Sequence, residues 1–218
     1  HGDGAGAVLR IGAAVPLREL EAAVARTLPA LTALLGRYGS PQIRHRGTLG
    51  GSLGTASPIG DLAPVLQVLG AELELAGADG RRRRVPARDF HVDYRRTVLA
   101  PGEYLAAARV PLPGPAGRLI VRKYGKRRED DISSVLGAAL VGAGTPRFAW
   151  GGMAATPRRS PALEALLARE PTPEDAALDA ALAADTTPID DVRASAAYRR
   201  AMARAFVHEV LAAPEVAG

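Results

Sequence analysis

Residues 47–61 read GTLGGSLGTASPIGD, and the reading of the whole chain turns on them. Gly47, Gly50, Gly51 and Gly54 crowd into a stretch that ends at Asp61. Glycine lets a backbone turn sharply and come close to a ligand. Exposed successive amides ahead of a helix N-terminus favour anionic groups such as a pyrophosphate. The spacing is not a Walker pattern, since no Gly-Lys-Ser/Thr follows, nor a GxGxxG opening a helix after a strand. From the residues alone, a structural turn and a phosphate or flavin site both remain open. The wider segment 39–60 is rich in Gly and Ser, lacks a helical period, and predicts a loop system.

Working outward, residues 7–12 (AVLRIG) read as a short strand. Leu17, Leu20 and Val24 then recur at helical spacing after Pro16. A second helix follows Pro29, with Leu31, Leu34, Leu35 and Tyr38 on one face. On the other side, Asp61 can cap a helix that keeps Pro64 in its first turn and turns Leu62, Val65, Leu66 and Leu69 inward. Strands follow at 71–76 and 82–86, joined by the hairpin signal Asp79-Gly80, and again at 103–110. PLPGPAG, residues 111–117, disfavours both helix and ladder and is the best domain boundary. Three strands come after it, at about 118–126, 133–142 and 146–152. The tail is helical: Ser160-Pro161 and Thr172-Pro173 each offer a cap and a first-turn proline. A last helix over about 192–212 carries Tyr198, Met202, Phe206 and Val210 on a stripe that reads as core.

The 218 residues, 47% apolar and 23% charged, are ordinary for a globular chain. No apolar run is long enough to cross a bilayer, and the first residues lack the pattern of a signal peptide. The chain contains no cysteine, which excludes disulfides, thiol catalysis and cysteine-held metal clusters within it. His1, His45, His91 and His208 show no metal-ligand spacing. The net charge of +5 allows a nucleic-acid ligand, but the arginines are spread along the chain and only Arg81 to Arg84 form a run. That run reads as a solvated strand, and aromatic residues at 4% leave few stacking platforms.

A second segment, RKYGKRREDDIS at 122–133, sets Lys123, Lys126, Arg127 and Arg128 against Glu129, Asp130 and Asp131. Such a run is ordinarily a solvated turn. Both signs of charge near a redox ring would tune its electronics. Asp130 and Asp131 also suggest a carboxylate pair, although neighbours on a strand point to opposite faces.

Four blocks, QIRHRGTLGGSLGTASPIGDLAP (42–64), DFHVDYRRTVLAPGEYL (89–105), KYGKRREDDIS (123–133) and GGMAATPRR (151–159), together resemble the FAD-binding subunit of bacterial xanthine dehydrogenases, in the molybdenum hydroxylase family. The resemblance runs from about residue 7 to 212. The Gly-rich block is shared with carbon monoxide dehydrogenase and aldehyde oxidase flavoproteins, while YRRT, KRREDDIS and GGMAATPRR point more narrowly to xanthine dehydrogenase. The implied fold is α+β: the second lobe of a PCMH-type FAD-binding domain over 1–114, then a CO dehydrogenase flavoprotein C-terminal-like domain over 115–218, a three-stranded antiparallel sheet with helices.

The resemblance implies FAD as cofactor. Tyr38 stands against it; Thr48, Leu49, Gly50, Gly51 and Ser52 form the loop that approaches it. Asp61, Leu105 and Lys123 make further contacts, and Asp130 lies on the side of nicotinamide access. No catalytic residue and no metal ligand is expected. Iron–sulfur clusters and molybdopterin would sit on partner domains or subunits, with NAD+ as acceptor, in a cytoplasmic enzyme of purine catabolism. No nucleic-acid or membrane partner is implied. The family often has Asn where Ser52 stands. Its other glycine-rich FAD loop should precede residue 7, so the chain is expected to be an N-terminally truncated piece that binds FAD poorly or not at all by itself. The rival readings are a carbon monoxide or aldehyde oxidoreductase flavoprotein, a basic nucleic-acid-binding module, and a structural docking piece.

Overall fold

The computed structural model describes residues 6–127, 130–142 and 144–213; His1, Arg128 and Glu129 lie outside them. The first part of the chain runs β1 (Val8–Gly12), α1 (Leu17–Ala23), α2 (Pro29–Gly36), α3 (Pro41–Arg46), α4 (Leu49–Gly54) and α5 (Leu62–Val68). It continues through β2 (Glu72–Gly77), β3 (Arg82–Pro86), the small hairpin β4 (His91–Asp93) and β5 (Arg96–Thr97), and β6 (Glu103–Pro111). The second part runs β7 (Arg118–Tyr124), β8 (Val135–Val141), β9 (Arg147–Gly151), β10 (Arg158–Arg159), α6 (Pro161–Arg169), α7 (Asp175–Asp185) and α8 (Ala196–Ala212).

Two four-stranded antiparallel sheets result, in the orders β1-β6-β2-β3 and β10-β9-β8-β7. The second is the three-stranded sheet the sequence predicts, extended by the two-residue edge β10. One core packs the inner face of the first sheet against α1, α2, α4 and α5, and reaches Val121, Leu136, Ala138 and Leu140 of the second sheet. A second core lies on the far face of that sheet, where Val135, Ala139, Phe148 and Trp150 meet α6, α7 and α8. Strand β8 is therefore covered on both faces, which explains its unbroken apolar run, VLGAALV. Alternation along β7 sends Val121 and Lys123 to the first core and Ile120 and Tyr124 to the second.

The predicted loop system over 39–60 is instead largely helical. Ser40 caps α3 by accepting the Ile43 amide, with Pro41 in the first turn. Thr48 caps α4 by accepting the Gly51 amide. Glycine in a helix costs about 1 kcal/mol against alanine, and burial of Leu49 and Leu53 offsets this in α4. Gly50 is required there, because a Cβ would lie 2.7 Å from the Ala13 Cβ and 2.9 Å from its carbonyl oxygen.

Four further expectations need correction. Asp61 precedes α5 as read, but its carboxylate caps nothing. Ser160 precedes α6, yet the helix amides of Ala162 and Leu163 donate to the remote Asp185 carboxylate, to which the Ser160 hydroxyl also donates. Helix α7 begins at Asp175 with Glu174 before it, two residues beyond the predicted Thr172-Pro173 start. Along α8 the buried side chains are Arg199, Ala203, Phe206, Val207 and Val210. Tyr198, placed on the predicted stripe, is 41% exposed.

The arginine run forms the hairpin strand β3, as read. Arg83 forks onto Glu103 at 2.8 and 2.7 Å, and the Ala100 amide adds a third donor. The Arg83 fork, with that amide, holds the Glu103 carboxyl down at about 2. A depressed carboxylate stabilises the fold above its unfolded value of 4.5 and loses that contribution as pH falls toward the folded value. Melting temperatures of the chain and of Glu103→Gln should therefore differ above pH 4.5 and converge by about pH 2. A gap that persists at the acid end would contradict this.

Candidate functional site

Beside β7 of the second sheet, against α3, α4 and the segment leading to α5, a cleft of about 630 Å3 opens, within the roughly 300–1,000 Å3 range of small-molecule sites. Its walls come from the turn after α2 (Tyr38, Gly39, Ser40), from Ile43 and Ser52, from the segment Ser57–Asp61, from Lys123 on β7, and from Asp130–Ser133. The floor is a charged pair. Lys123 points inward beside Val121 and donates to Asp61 Oδ2 at 2.8 Å and to the Arg37 carbonyl at 3.2 Å. Ser133 donates to the other Asp61 oxygen at 2.5 Å. Both charged side chains are buried, 5% and 6% exposed, so each needs the other.

Tyr38 stands over this pair. Its ring centroid is 5.9 Å from Lys123 Nζ, and its hydroxyl donates to Ser52 at 3.2 Å. Burial pushes the Tyr38 phenol above its ordinary range; the Ser52 hydrogen bond opposes this and the Asp61 charge adds to it. At the rim, Asp131 accepts the amides of Arg127 at 2.7 Å and Ile132 at 2.9 Å. The Arg127 amide is the main group holding its carboxyl below the usual range. Asp130 sits beside it at φ +50°. Because 130–133 is a turn rather than a strand, both carboxylates border the one cleft, which the strand argument had disfavoured.

Of the ten residues singled out in the sequence, Tyr38, Ser52, Asp61, Lys123 and Asp130 line this cleft. Thr48, Leu49, Gly50 and Gly51 lie behind it in α4. The amides of Leu49, Gly50 and Gly51 are not open: Leu49 N donates to Val15 O, Gly50 N to Ala13 O and Gly51 N to the Thr48 hydroxyl. The expected cradle of free N–H groups is thus replaced by a capped helix. His91 supports it from below, with Nε2 2.9 Å from the Leu53 carbonyl; burial pushes this imidazole below its ordinary value. Leu105 lies on β6 opposite Leu75 and packs into the first core, away from the cleft lining. The sequence reading gave no role to Ser40, Ile43, Thr55, Ser57, Ile59, Ile132 or Ser133, which also line the cleft. All but Ser40 fall within the two quoted blocks 42–64 and 123–133, but nothing else in their local pattern marks them.

The donor set suits a flat heterocycle carrying a hydroxylated tail. Ile43, Ile59 and Ile132 offer apolar faces, the hydroxyls of Ser40, Ser52 and Ser57 offer hydrogen bonds, and the Tyr38 ring offers a stacking surface. The cleft lining includes no cysteine or histidine to act as a nucleophile or imidazole base. Among the described residues no helix is long and apolar enough to cross a membrane.

Such a cleft, built from helices and loops of the first part of an α+β chain and from β7 and the 130–133 segment of the second, suits a bound cofactor. Residues 3–113 match the family described as the FAD binding domain in molybdopterin dehydrogenase, and residues 121–213 match the CO dehydrogenase flavoprotein C-terminal domain. The chain belongs to this family of molybdopterin-dehydrogenase flavoproteins. It is 32% identical over 183 residues to the xanthine dehydrogenase of Drosophila pseudoobscura pseudoobscura, covering 73% of this chain and 14% of that protein. It is 35% identical over 118 residues to the carbon monoxide dehydrogenase medium chain of Afipia carboxidovorans, covering 54% of this chain and 40% of that one. Its fold matches a solved carbon monoxide dehydrogenase from Hydrogenophaga pseudoflava with a TM-score of 0.83 at 28% identity, over 96% of this chain and 75% of that one. The chain spans between 7% and 40% of the length of the curated relatives it matches.

Proposed function

We propose that this chain orients FAD within a xanthine dehydrogenase-type enzyme, taking electrons from iron–sulfur clusters and passing them to NAD+. The observation that carries the reading is the convergence of Tyr38, Ser52, Asp61, Lys123 and Asp130, distant in sequence, on one cleft. Bound flavin would supply the hydride and one-electron chemistry. The chain's own residues bind and orient. Lys123, fixed by Asp61 and the Arg37 carbonyl, presents a positive charge that does not wander. Tyr38 stacks, Ser52 and Ser133 offer hydroxyls, and Asp130 borders the side where a nicotinamide would approach. Thr48–Gly51 and Leu105 act as the packed support behind these groups. In this reading 1–114 is the flavin lobe and 115–218 the C-terminal domain, which contributes Lys123, Asp130 and Ser133 to the shared cleft.

NAD+ as acceptor is supported by a second groove of about 520 Å3 that meets the cleft at Ile59 and presents Tyr94 and Ile189, a surface suited to an aromatic base. The substrate would be a purine hydroxylated on a molybdenum-bearing partner. A carbon monoxide or aldehyde oxidoreductase role would keep the same cleft.

FAD titrated onto the isotopically labelled chain tests the site even if binding is weak. Amide shifts should concentrate at Ser52, Asp61, Lys123 and Ser133, and subsequent NAD+ should move Tyr94 and Asp130. Shifts confined to other surfaces at millimolar flavin would remove the proposal.

A further inference from the structure

Arg199 is the most deeply buried cation in the described structure, 1% exposed; it lies outside the flavin-cleft lining, at the inner end of the second groove. Its Nη1 donates to the Ser134 carbonyl and, at 2.9 Å, to the Gly152 carbonyl; its Nη2 donates to Asp191 at 2.7 Å. Its Nε has no partner. A guanidinium is rigid and forked, and takes two carbonyls and a carboxylate at fixed angles in a way an ammonium cannot.

Each backbone group it holds continues into a wall of the cleft. Ser134 follows Ser133, whose hydroxyl donates to Asp61, and the Ser134 amide donates to Tyr124 O, next to Lys123. The Gly152 amide donates to Pro58 O at 2.8 Å, inside the Ser57–Gly60 wall. One side chain on α8 thus sets the distance between the segment carrying Ser133 and the segment leading to Asp61. A buried arginine that served α8 packing alone would need no more than one of these ties, and an apolar residue would fill the volume at less desolvation cost.

The geometry points to Arg199 as a positioning residue for the cofactor cleft, acting through Ser133–Asp61 on one wall and through Gly152–Pro58 on the other. This rests on reading the cleft as the flavin site.

The test compares Arg199→Lys with Leu178→Ala on the full chain. Leu178 lies in the same second core, fully buried, with no tie to the cleft. Native-state hydrogen exchange reads local opening. In Arg199→Lys the amides of Ser134, Gly152 and Gly60 should exchange at least about tenfold faster relative to the core amide of Leu140, whereas Leu178→Ala should speed all four together. This arm needs no flavin, so it separates failure of the inference from failure of the flavin reading. In the flavin arm, FAD-induced shifts should give an affinity about tenfold weaker in Arg199→Lys and unchanged within about twofold in Leu178→Ala. Adding Ser133→Ala to Arg199→Lys should weaken FAD by less than the product of the two single effects, because both act on one linkage. Should Arg199→Lys not fold, Asp191→Asn, which leaves the guanidinium in place and loosens its anchor, carries the same comparison. Uniform exchange in the arginine or aspartate variant, or multiplicative effects in the double variant, would overturn the inference.

Discussion

Lys123→Met should cost the fold about 3–5 kcal/mol, the largest loss expected from any single side-chain replacement in the cleft. Methionine fills much of the lysine volume and keeps the apolar stem that lies beside Val121. What disappears is the ammonium, and with it the donor to Asp61 Oδ2 and to the Arg37 carbonyl. Asp61 is then left without its cation in a site where its side chain is 6% exposed, with Ser133 as its remaining side-chain donor. Breaking one half of a buried pair is costly because the surviving charge has no counterion, whatever the net worth of the intact pair. The prediction is therefore asymmetric: Lys123→Met combined with Asp61→Asn should recover a large part of the loss, since the uncompensated charge is gone. Urea denaturation of the two single variants and the double variant reads this directly. A double variant less stable than Lys123→Met would mean the pair is held for some other reason than mutual neutralisation. Flavin binding should fall in both single variants, and the stability cycle keeps that loss interpretable.

The same pair shows where sequence reading stops. Lys123 and Asp61 are 62 positions apart, and neither periodicity nor composition joins them; only the resemblance of two motifs placed both at one site. The longer strands, by contrast, were legible almost to the residue, because β2, β6 and β8 carry their apolar faces in alternation or in runs and β3 follows the Asp79-Gly80 turn signal, whereas the two- and three-residue strands β4, β5 and β10 left no such pattern. The Gly-rich stretch was misread as loop because glycine hides helical propensity. The available signal was the cap: Ser40-Pro41 has the same form as Ser160-Pro161, and Thr48 stands three residues before the Gly51 amide it accepts. Arg199 went unnoticed for a different reason. A helix stripe is read from apolar residues, and a cation buried by backbone carbonyls flanking β8 and β9 is invisible until those strands are placed.

Gly152→Ala should cost roughly 3 kcal/mol, a large effect for one methyl group, and the size follows from two separable terms. Gly152 sits at φ +78°, where an L-residue pays about 1–2 kcal/mol. Its new Cβ would also overlap the Ser134 carbonyl oxygen and lie 2.9 Å from Arg199 Nη1. Forcing extra volume into a packed interior adds about 1–3 kcal/mol. Gly80 isolates the first term. It lies at φ +80° in the β2–β3 turn, and a Cβ there would meet nothing within 4 Å, so Gly80→Ala should show the backbone cost alone. The difference between the two variants in urea denaturation then measures the crowding at the junction of β8, β9 and α8. That junction holds the Pro58 carbonyl through the Gly152 amide. A methyl group placed just outside the cleft lining should therefore also loosen the Ser57–Gly60 wall, seen as faster exchange at the Gly60 amide in Gly152→Ala but not in Gly80→Ala. Equal costs for the two substitutions would show that the carbonyl can move aside freely, and that the close approach of Ser134 to Gly152 carries no strain to the cleft.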